Sequence, residues 1–143
     1  MGLGYIGLPT SALLANKGYD VYGVDVVEKT IETINKGDIH IVEPGLDVFV
    51  QAAVHSGKLK AGMEPVTADV FIIAVPTPFK EDILSNNTNP VPDIGYVLSA
   101  AESISPYLSH GNIVILESTS PVGTTEKVRD IIENKGVDTS SLF

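Results

Sequence analysis

Gly2-Leu3-Gly4-Tyr5-Ile6-Gly7 is followed by an apolar run over 8–15, and this is the stretch that decides the fold. It reads as a glycine-rich turn that opens a helix. Eighteen residues after Gly7, closing Val21-Tyr22-Gly23-Val24, comes Asp25. A G-x-G-x-x-G turn at a helix start, with an acidic residue about 20 positions later at the end of a strand, is the dinucleotide-binding fingerprint. Each part has a mechanical reason. Gly2 permits the tight turn, Gly4 lets the backbone approach a pyrophosphate, and Gly7 lets the helix pack closely on the sheet. The helix start offers unpaired N–H groups and the positive end of its dipole, and Tyr5 and Ile6 stand there. Asp25 is placed to accept hydrogen bonds from both hydroxyls of a ribose.

A carboxylate at position 25 repels a 2′-phosphate, so the pattern selects NAD over NADP. No arginine follows in Val26-Val27-Glu28 to reverse that preference. A purely structural turn is the competing reading, since glycine-rich turns also end strands that hold no ligand. The fingerprint ordinarily follows a strand that is central in a doubly wound sheet, and only Met1 precedes Gly2 here. A first strand cut short is therefore expected.

Working outward, 143 residues make one domain with a real core, and an apolar content of 43% argues against disorder. A net charge of −9 argues against nucleic acid or an anionic membrane surface as partner. It leaves phosphate binding open, because backbone amides and helix ends carry that work. With no cysteine there is no disulfide framework and no thiolate metal site. His40, His55 and His110 lack metal-ligand spacing, so no metal is expected. There is no signal-peptide pattern, and the longest continuous run, 70–75, is far too short to span a bilayer. A cytoplasmic location is the resulting expectation. Asn86-Asn87-Thr88 matches a glycosylation acceptor, which means nothing without a secretory route.

The periodicity predicts helices over 8–16, 27–36, from 45 to about 56, 94–108 and 124–134, most of them stopped by glycine. In the third, Leu46, Phe49, Val50, Ala53 and Val54 form the expected buried stripe. Short strands are expected over 21–24 and 58–61. The runs 70–75 and 113–116 are β-branched and continuous, the pattern of strands buried on both faces of a parallel sheet. Residues 80–92 read as a flexible polar loop, Asp93 as a helix cap, and 138–143 as a cut end. This alternation predicts an α/β fold: a doubly wound parallel, Rossmann-like sheet covered on both faces.

Ligands of such sheets lie beyond the carboxyl ends of the strands, where three loops meet: 2–7, 74–78 and 117–121. Val75 and Pro76 set the second loop, and the prolines leave the Thr77 hydroxyl at the ligand edge. The bland reading is a rigid turn. Glu117-Ser118-Thr119-Ser120-Pro121 puts three hydroxyls just before a helix. Helix capping explains them as well as contact with a nicotinamide ribose does. Glu43, beside a helix start, is more simply an ordinary Glu-Pro beginning.

Gly-Leu-Gly-Tyr-Ile-Gly-Leu-Pro at 2–9, Gly-Val-Asp at 23–25, Ile-Val-Glu-Pro-Gly-Leu at 41–46, Ala-Val-Pro-Thr-Pro-Phe-Lys at 74–80 and Leu-Glu-Ser-Thr-Ser-Pro-Val-Gly-Thr-Thr-Glu-Lys at 116–127 together resemble the UDP-glucose/GDP-mannose dehydrogenase family. The wording around positions 40 and 76 is most similar to members acting on UDP-N-acetyl-D-mannosamine. The resemblance implies oxidation of a sugar C6 alcohol to a carboxylate in two steps, with two NAD reduced. It implies that Tyr5 and Ile6 meet the pyrophosphate through backbone N–H groups and that Asp25 holds the adenosine ribose. It further implies cofactor contacts from Gly2, Gly4, Gly7, Val75, Pro76, Thr77, Ser118 and Thr119, with Thr119 nearest the reacting centre. The family's nucleophilic cysteine and catalytic lysine have no counterpart in these 143 residues. The resemblance therefore makes 1–143 the NAD-binding portion of a larger, oligomeric enzyme whose UDP-sugar is gripped mostly by other domains. Other NAD-dependent dehydrogenases, and a non-catalytic nucleotide-binding module, are the alternatives.

Overall fold

The computed structural model describes residues 1–80 and 91–143. The elements run α1 (Gly7–Asn16), β1 (Val21–Val24), α2 (Glu28–Asn35), α3 (Leu46–His55), β2 (Leu59–Gly62), β3 (Val70–Ile73), α4 (Gly95–Ile104), β4 (Ile113–Leu116) and α5 (Thr124–Asn134). One 3₁₀ turn, Ser105–Tyr107, extends α4, and another, Thr139–Ser141, follows α5. The strands pair in parallel as β1 with β2 and β3 with β4.

The sheet is therefore laid out in two halves, each with its own core. In the front half Leu8, Ala12 and Ala15 of α1 pack with Ile31, Ile34, Leu46, Val50, Ala53 and Leu59. In the rear half Phe71 and Ile73 pack with Val97, Ala101 and Ile104 of α4 and Val128 and Ile132 of α5. Among the described residues only Met1 stands between β1 and β3. Its ammonium donates to the Ile72 carbonyl at 2.8 Å, and the Ala74 N–H donates to the Met1 carbonyl at 2.8 Å. The Gly2 N–H donates to the Val24 carbonyl at 2.8 Å. This is the bonding of a parallel strand one residue long, with Met1 opposite both Ile73 and Val24.

Helices cover opposite faces. Ile73 points toward α4, so Ala74 points the other way, and a Cβ built on Gly7 at the start of α1 would lie 3.3 Å from the Ala74 methyl. The doubly wound class thus holds, with the ladder interrupted where a single residue fills the central position.

Three expectations are corrected. The strands β3 and β4 are not buried on both faces: Phe71, Ile73, Val114 and Leu116 face the rear core, while Val70, Ile113 and Ile115 remain 42%, 39% and 42% exposed. On that face Val70 and Ile115 border a cavity that Thr10, Ser11 and Leu14 of α1 also line. Phe49 is also outside the core, 51% exposed, because α3 turns Leu46, Val50 and Ala53 inward and leaves Phe49 on its flank. Asp93 does meet the start of α4, its Oδ1 accepting from the Gly95 N–H at 2.9 Å, but from one residue ahead of the cap position, Ile94.

The loop expected over 80–92, and Asn86-Asn87-Thr88 within it, lie largely outside the described residues. Its flanks are joined: Lys80 N–H donates to Val91 O at 2.8 Å and Asp93 N–H to Pro78 O at 2.6 Å. No described helix is long and apolar enough to cross a membrane.

Candidate dinucleotide site

The turn at 2–7 is closed by two contacts that exclude a side chain. Gly2 has φ +84°, and a Cβ there would stand 2.7 Å from the Ala74 carbonyl oxygen. A Cβ on Gly7 would stand 1.8 Å from the Gly2 carbonyl oxygen. Glycine at both positions lets the helix start fold back onto the end of the strand lane. At Gly4 a Cβ would meet nothing within 4 Å, so the turn leaves open space above it.

Helix α1 has no side-chain cap at Ile6. Its first internal bonds run from Leu8 N–H to Gly4 O and from Thr10 N–H to Ile6 O. Among the described residues the N–H groups of Gly4, Tyr5, Ile6 and Gly7 take no backbone partner. An uncapped helix start facing open space, with the positive end of the helix dipole behind it, is a site for an anion.

Asp25 lies beside this turn. Its Oδ2 accepts from the Leu3 N–H at 2.9 Å and its Oδ1 from the Val27 N–H at 3.0 Å. These bonds fix the carboxylate at the end of β1 and leave each oxygen a further lone pair for a hydroxyl donor. The carboxylate neither points into the core nor lies away from the glycine turn. The nearby Met1 ammonium is held below its ordinary value of 8.0 by burial, with the charges of Asp25 and Glu117 opposing that shift.

The other two loops come to the same edge. Glu117 and Ser118 donate their N–H groups to Ile73 O, and the Ser118 hydroxyl donates to Val75 O at 2.7 Å. Ser118 thereby ties the end of β4 to the Val75-Pro76 segment. The Thr77 hydroxyl donates to the Thr119 carbonyl at 2.5 Å and lies 3.1 Å from the Thr119 hydroxyl. The two threonines thus form one polar pair, exposed above the strand ends.

One link was not expected from sequence. Thr10, on α1, donates through its hydroxyl to Glu117 Oε1 at 3.0 Å and joins front half to rear half across the site. The two residues are 107 positions apart; the only local signal is that each stands next to a loop of the ligand edge. Glu43 is exposed and contributes its carbonyl to the start of α3. His40, His55 and His110 join no ligand cluster, and no group of three His, Cys, Asp or Glu converges among the described residues.

The donor set fits a dinucleotide: open amides for a diphosphate, a fixed carboxylate for a ribose diol, and a hydroxyl pair farther along the same edge. The comparisons agree with this geometry. Residues 1–141 match the model of the UDP-glucose/GDP-mannose dehydrogenase family, NAD binding domain. The chain is 51% identical over 140 residues to a UDP-N-acetyl-D-mannosamine dehydrogenase from Campylobacter jejuni, covering 98% of this chain and 33% of that one. It is 50% identical over 140 residues to an NDP-N-acetyl-D-galactosaminuronic acid dehydrogenase from Ralstonia nicotianae, covering 98% and 31%. The solved UDP-N-acetyl-mannosamine dehydrogenase from Staphylococcus aureus superimposes with a TM-score of 0.87 at 44% identity, covering 99% of this chain and 34% of that one. The chain spans about a third of the length of the relatives it matches.

Proposed function

This chain belongs to the UDP-glucose/GDP-mannose dehydrogenase family as its NAD-binding domain, and from that premise we propose that it is the cofactor-holding part of a nucleotide-sugar 6-dehydrogenase. The substrate we assign is UDP-N-acetyl-D-mannosamine, oxidised at C6 to the uronate with two NAD. The likeness to UDP-N-acetyl-D-mannosamine dehydrogenases at 51–56% identity supports that choice. The 50% identical relative named for N-acetyl-galactosaminuronic acid supports a second reading, the C2- and C4-related sugar.

The observation that carries the cofactor reading is the meeting of the Asp25 carboxylate with the open amides of 4–7 at one strand edge. Gly2, Gly4 and Gly7 would let the diphosphate approach the backbone, and the N–H groups of Tyr5 and Ile6 would bind it. Asp25 would accept from the adenosine ribose hydroxyls. Thr77 and Thr119 would hold the nicotinamide side, with Val75, Pro76 and Ser118 as the wall beside them and Thr119 nearest the reacting carbon. When bound, NAD supplies a hydride acceptor.

A covalent second step needs an activated nucleophile, and this chain has no cysteine. We therefore expect NAD binding without turnover in the 143-residue chain. Steady NADH formation from UDP-N-acetylmannosamine and NAD would overturn that part. We further assign the full enzyme to the cytoplasm as a homo-oligomer.

Calorimetry tests the cofactor reading. Asp25→Asn should weaken NAD by about 1.5–3 kcal/mol, roughly ten- to a hundredfold in Kd, because a charged acceptor is lost from two hydroxyls. NADP should lose far less, since the repulsion of its 2′-phosphate is relieved at the same time. A parallel loss for both cofactors would mean that Asp25 only shapes the turn.

A further inference from the structure

The hydroxyls of Thr33 and Ser103 are used within their own helices, donating to Lys29 O at 2.8 Å and to Ala100 O at 2.9 Å. Such back-bonding is the ordinary use of a helical hydroxyl. Thr10 departs from it. Its hydroxyl leaves α1 and donates to Glu117 Oε1 at 3.0 Å. Among the described residues no lysine or arginine pairs with Glu117. The described contact that fixes its carboxylate is therefore the Thr10 hydroxyl.

Both ends of this bond are anchored at the ligand edge. Thr10 N–H donates to Ile6 O at 3.2 Å, and the Ile6 N–H is one of the open amides of the glycine turn. One helical turn thus separates Thr10 from those amides. At the other end Glu117 and Ser118 donate their N–H groups to Ile73 O at 2.9 and 3.1 Å. Two residues beyond Glu117, the Thr119 carbonyl and hydroxyl meet the Thr77 hydroxyl. A single side-chain bond therefore closes a short path from the open amides to the hydroxyl pair. The backbone bonds of α1 and of the β3–β4 pair are made without either side chain.

We propose, on the cofactor reading of this site, that Thr10 and Glu117 are positioning residues that fix the distance between the diphosphate amides and the nicotinamide-side hydroxyls. The pair acts on a ligand long enough to touch both. NAD is such a ligand. ADP carries the ribose diol and the diphosphate but no nicotinamide, so it needs only Asp25 and the amides of 4–7. Without the bond, the loop over 117–119 has to be ordered as NAD binds, and that cost appears in its affinity. The loss cannot exceed what the bond itself contributes.

Calorimetry on the 143-residue chain, with NAD and with ADP, tests this. Thr10→Val keeps the branched shape and removes the donor. It should raise the Kd of NAD about fivefold, the net worth of one hydrogen bond that water can replace. The Kd of ADP should change by less than about twofold. Thr10→Ser keeps the donor and should hold NAD within about twofold of the unaltered chain. In a Glu117→Ala background Thr10→Val should weaken NAD no further, because its acceptor is already gone. Equal losses for NAD and ADP in Thr10→Val would mean that Thr10 only shapes the start of α1, and the proposal would be overturned. It would also be overturned by an unchanged NAD affinity, by a serine that fails to rescue, or by a Thr10→Val effect that persists without Glu117. An unaltered chain that binds neither ligand would remove the cofactor reading and this proposal with it, so the two failures are told apart.

Discussion

In the front half, two strands lie against three helices, and the ligand groups are backbone amides and one carboxylate held by backbone amides. In the rear half, two strands pack against two helices through one face and border a cavity on the other, and the ligand groups are hydroxyls on loops. The first arrangement is built by close approach: Gly2, Gly7 and Ala74 stand so near one another that their packing and the ligand geometry are one constraint. The second is built by side chains that bond one another above strand ends that are half covered. Substitutions should therefore cost fold and ligand together in front, and cost them separately behind.

The sharpest way to break that comparison is Gly7→Ala. The added methyl would lie 1.8 Å from the Gly2 carbonyl oxygen, so backbone must move. Overpacking of this kind costs about 3 kcal/mol at its upper end, and the better helix propensity of alanine offsets at most about 1 kcal/mol. A large fall in the thermal midpoint with loss of NAD binding is expected. Gly4→Ala is the partner experiment. Its methyl meets nothing in the protein, so stability should stay within about 0.5 kcal/mol while NAD binding falls. A Gly4→Ala protein that binds NAD normally would place the diphosphate elsewhere.

How much of this was legible in sequence follows the same division. The fingerprint, its helix and Asp25 could be read because each constraint is local: a turn, a cap-free helix start, the end of a strand. The last helix fell at Thr124–Asn134, as its spacing predicted. Burial of β3 and β4 could not be read. A continuous apolar run says that a strand can be buried on both faces, but a neighbouring element decides whether it is. Phe49 is the helical form of the same error, apolar by type but on the flank of α3. The Thr10–Glu117 and Thr77–Thr119 bonds were out of reach because pairing across 107 and 42 positions depends on topology rather than on local pattern.

A smaller effect sharpens the rear half. Ile73→Val removes a methylene from a fully buried side chain and should cost about 0.5–1.5 kcal/mol. Ile115→Val removes the same group from the uncovered face and should cost less than about 0.5 kcal/mol. Equal costs in denaturant unfolding would mean that the second face is covered in solution, and the one-faced description of β3 and β4 would fail.

The smallest expected effect sits at the outer edge of the rear half. Phe143 bonds β4 as Met1 bonds β3: its N–H donates to Asn112 O and its carbonyl accepts from Val114 N–H. Before it, the hydroxyl and then the N–H of Ser140 hydrogen-bond the Asp138 carboxylate and hold it below its ordinary value of 3.8. A depressed carboxyl favours the folded turn above the unfolded pKa, and that contribution fades as pH falls through the folded one. In an NMR titration the Ser140 amide should therefore shift with a midpoint below 3.8, and Gly111, whose N–H donates to Ser141 O, should lose protection relative to its intrinsic exchange rate below that midpoint. The front half has no stake in this carboxylate, so Gly57, whose N–H donates to Val54 O, should keep its protection relative to intrinsic exchange over the same span. A midpoint above 3.8 would mean that the turn over 139–141 does not hold the Asp138 carboxylate, and the outer edge would lose the anchor that seats Phe143 against β4.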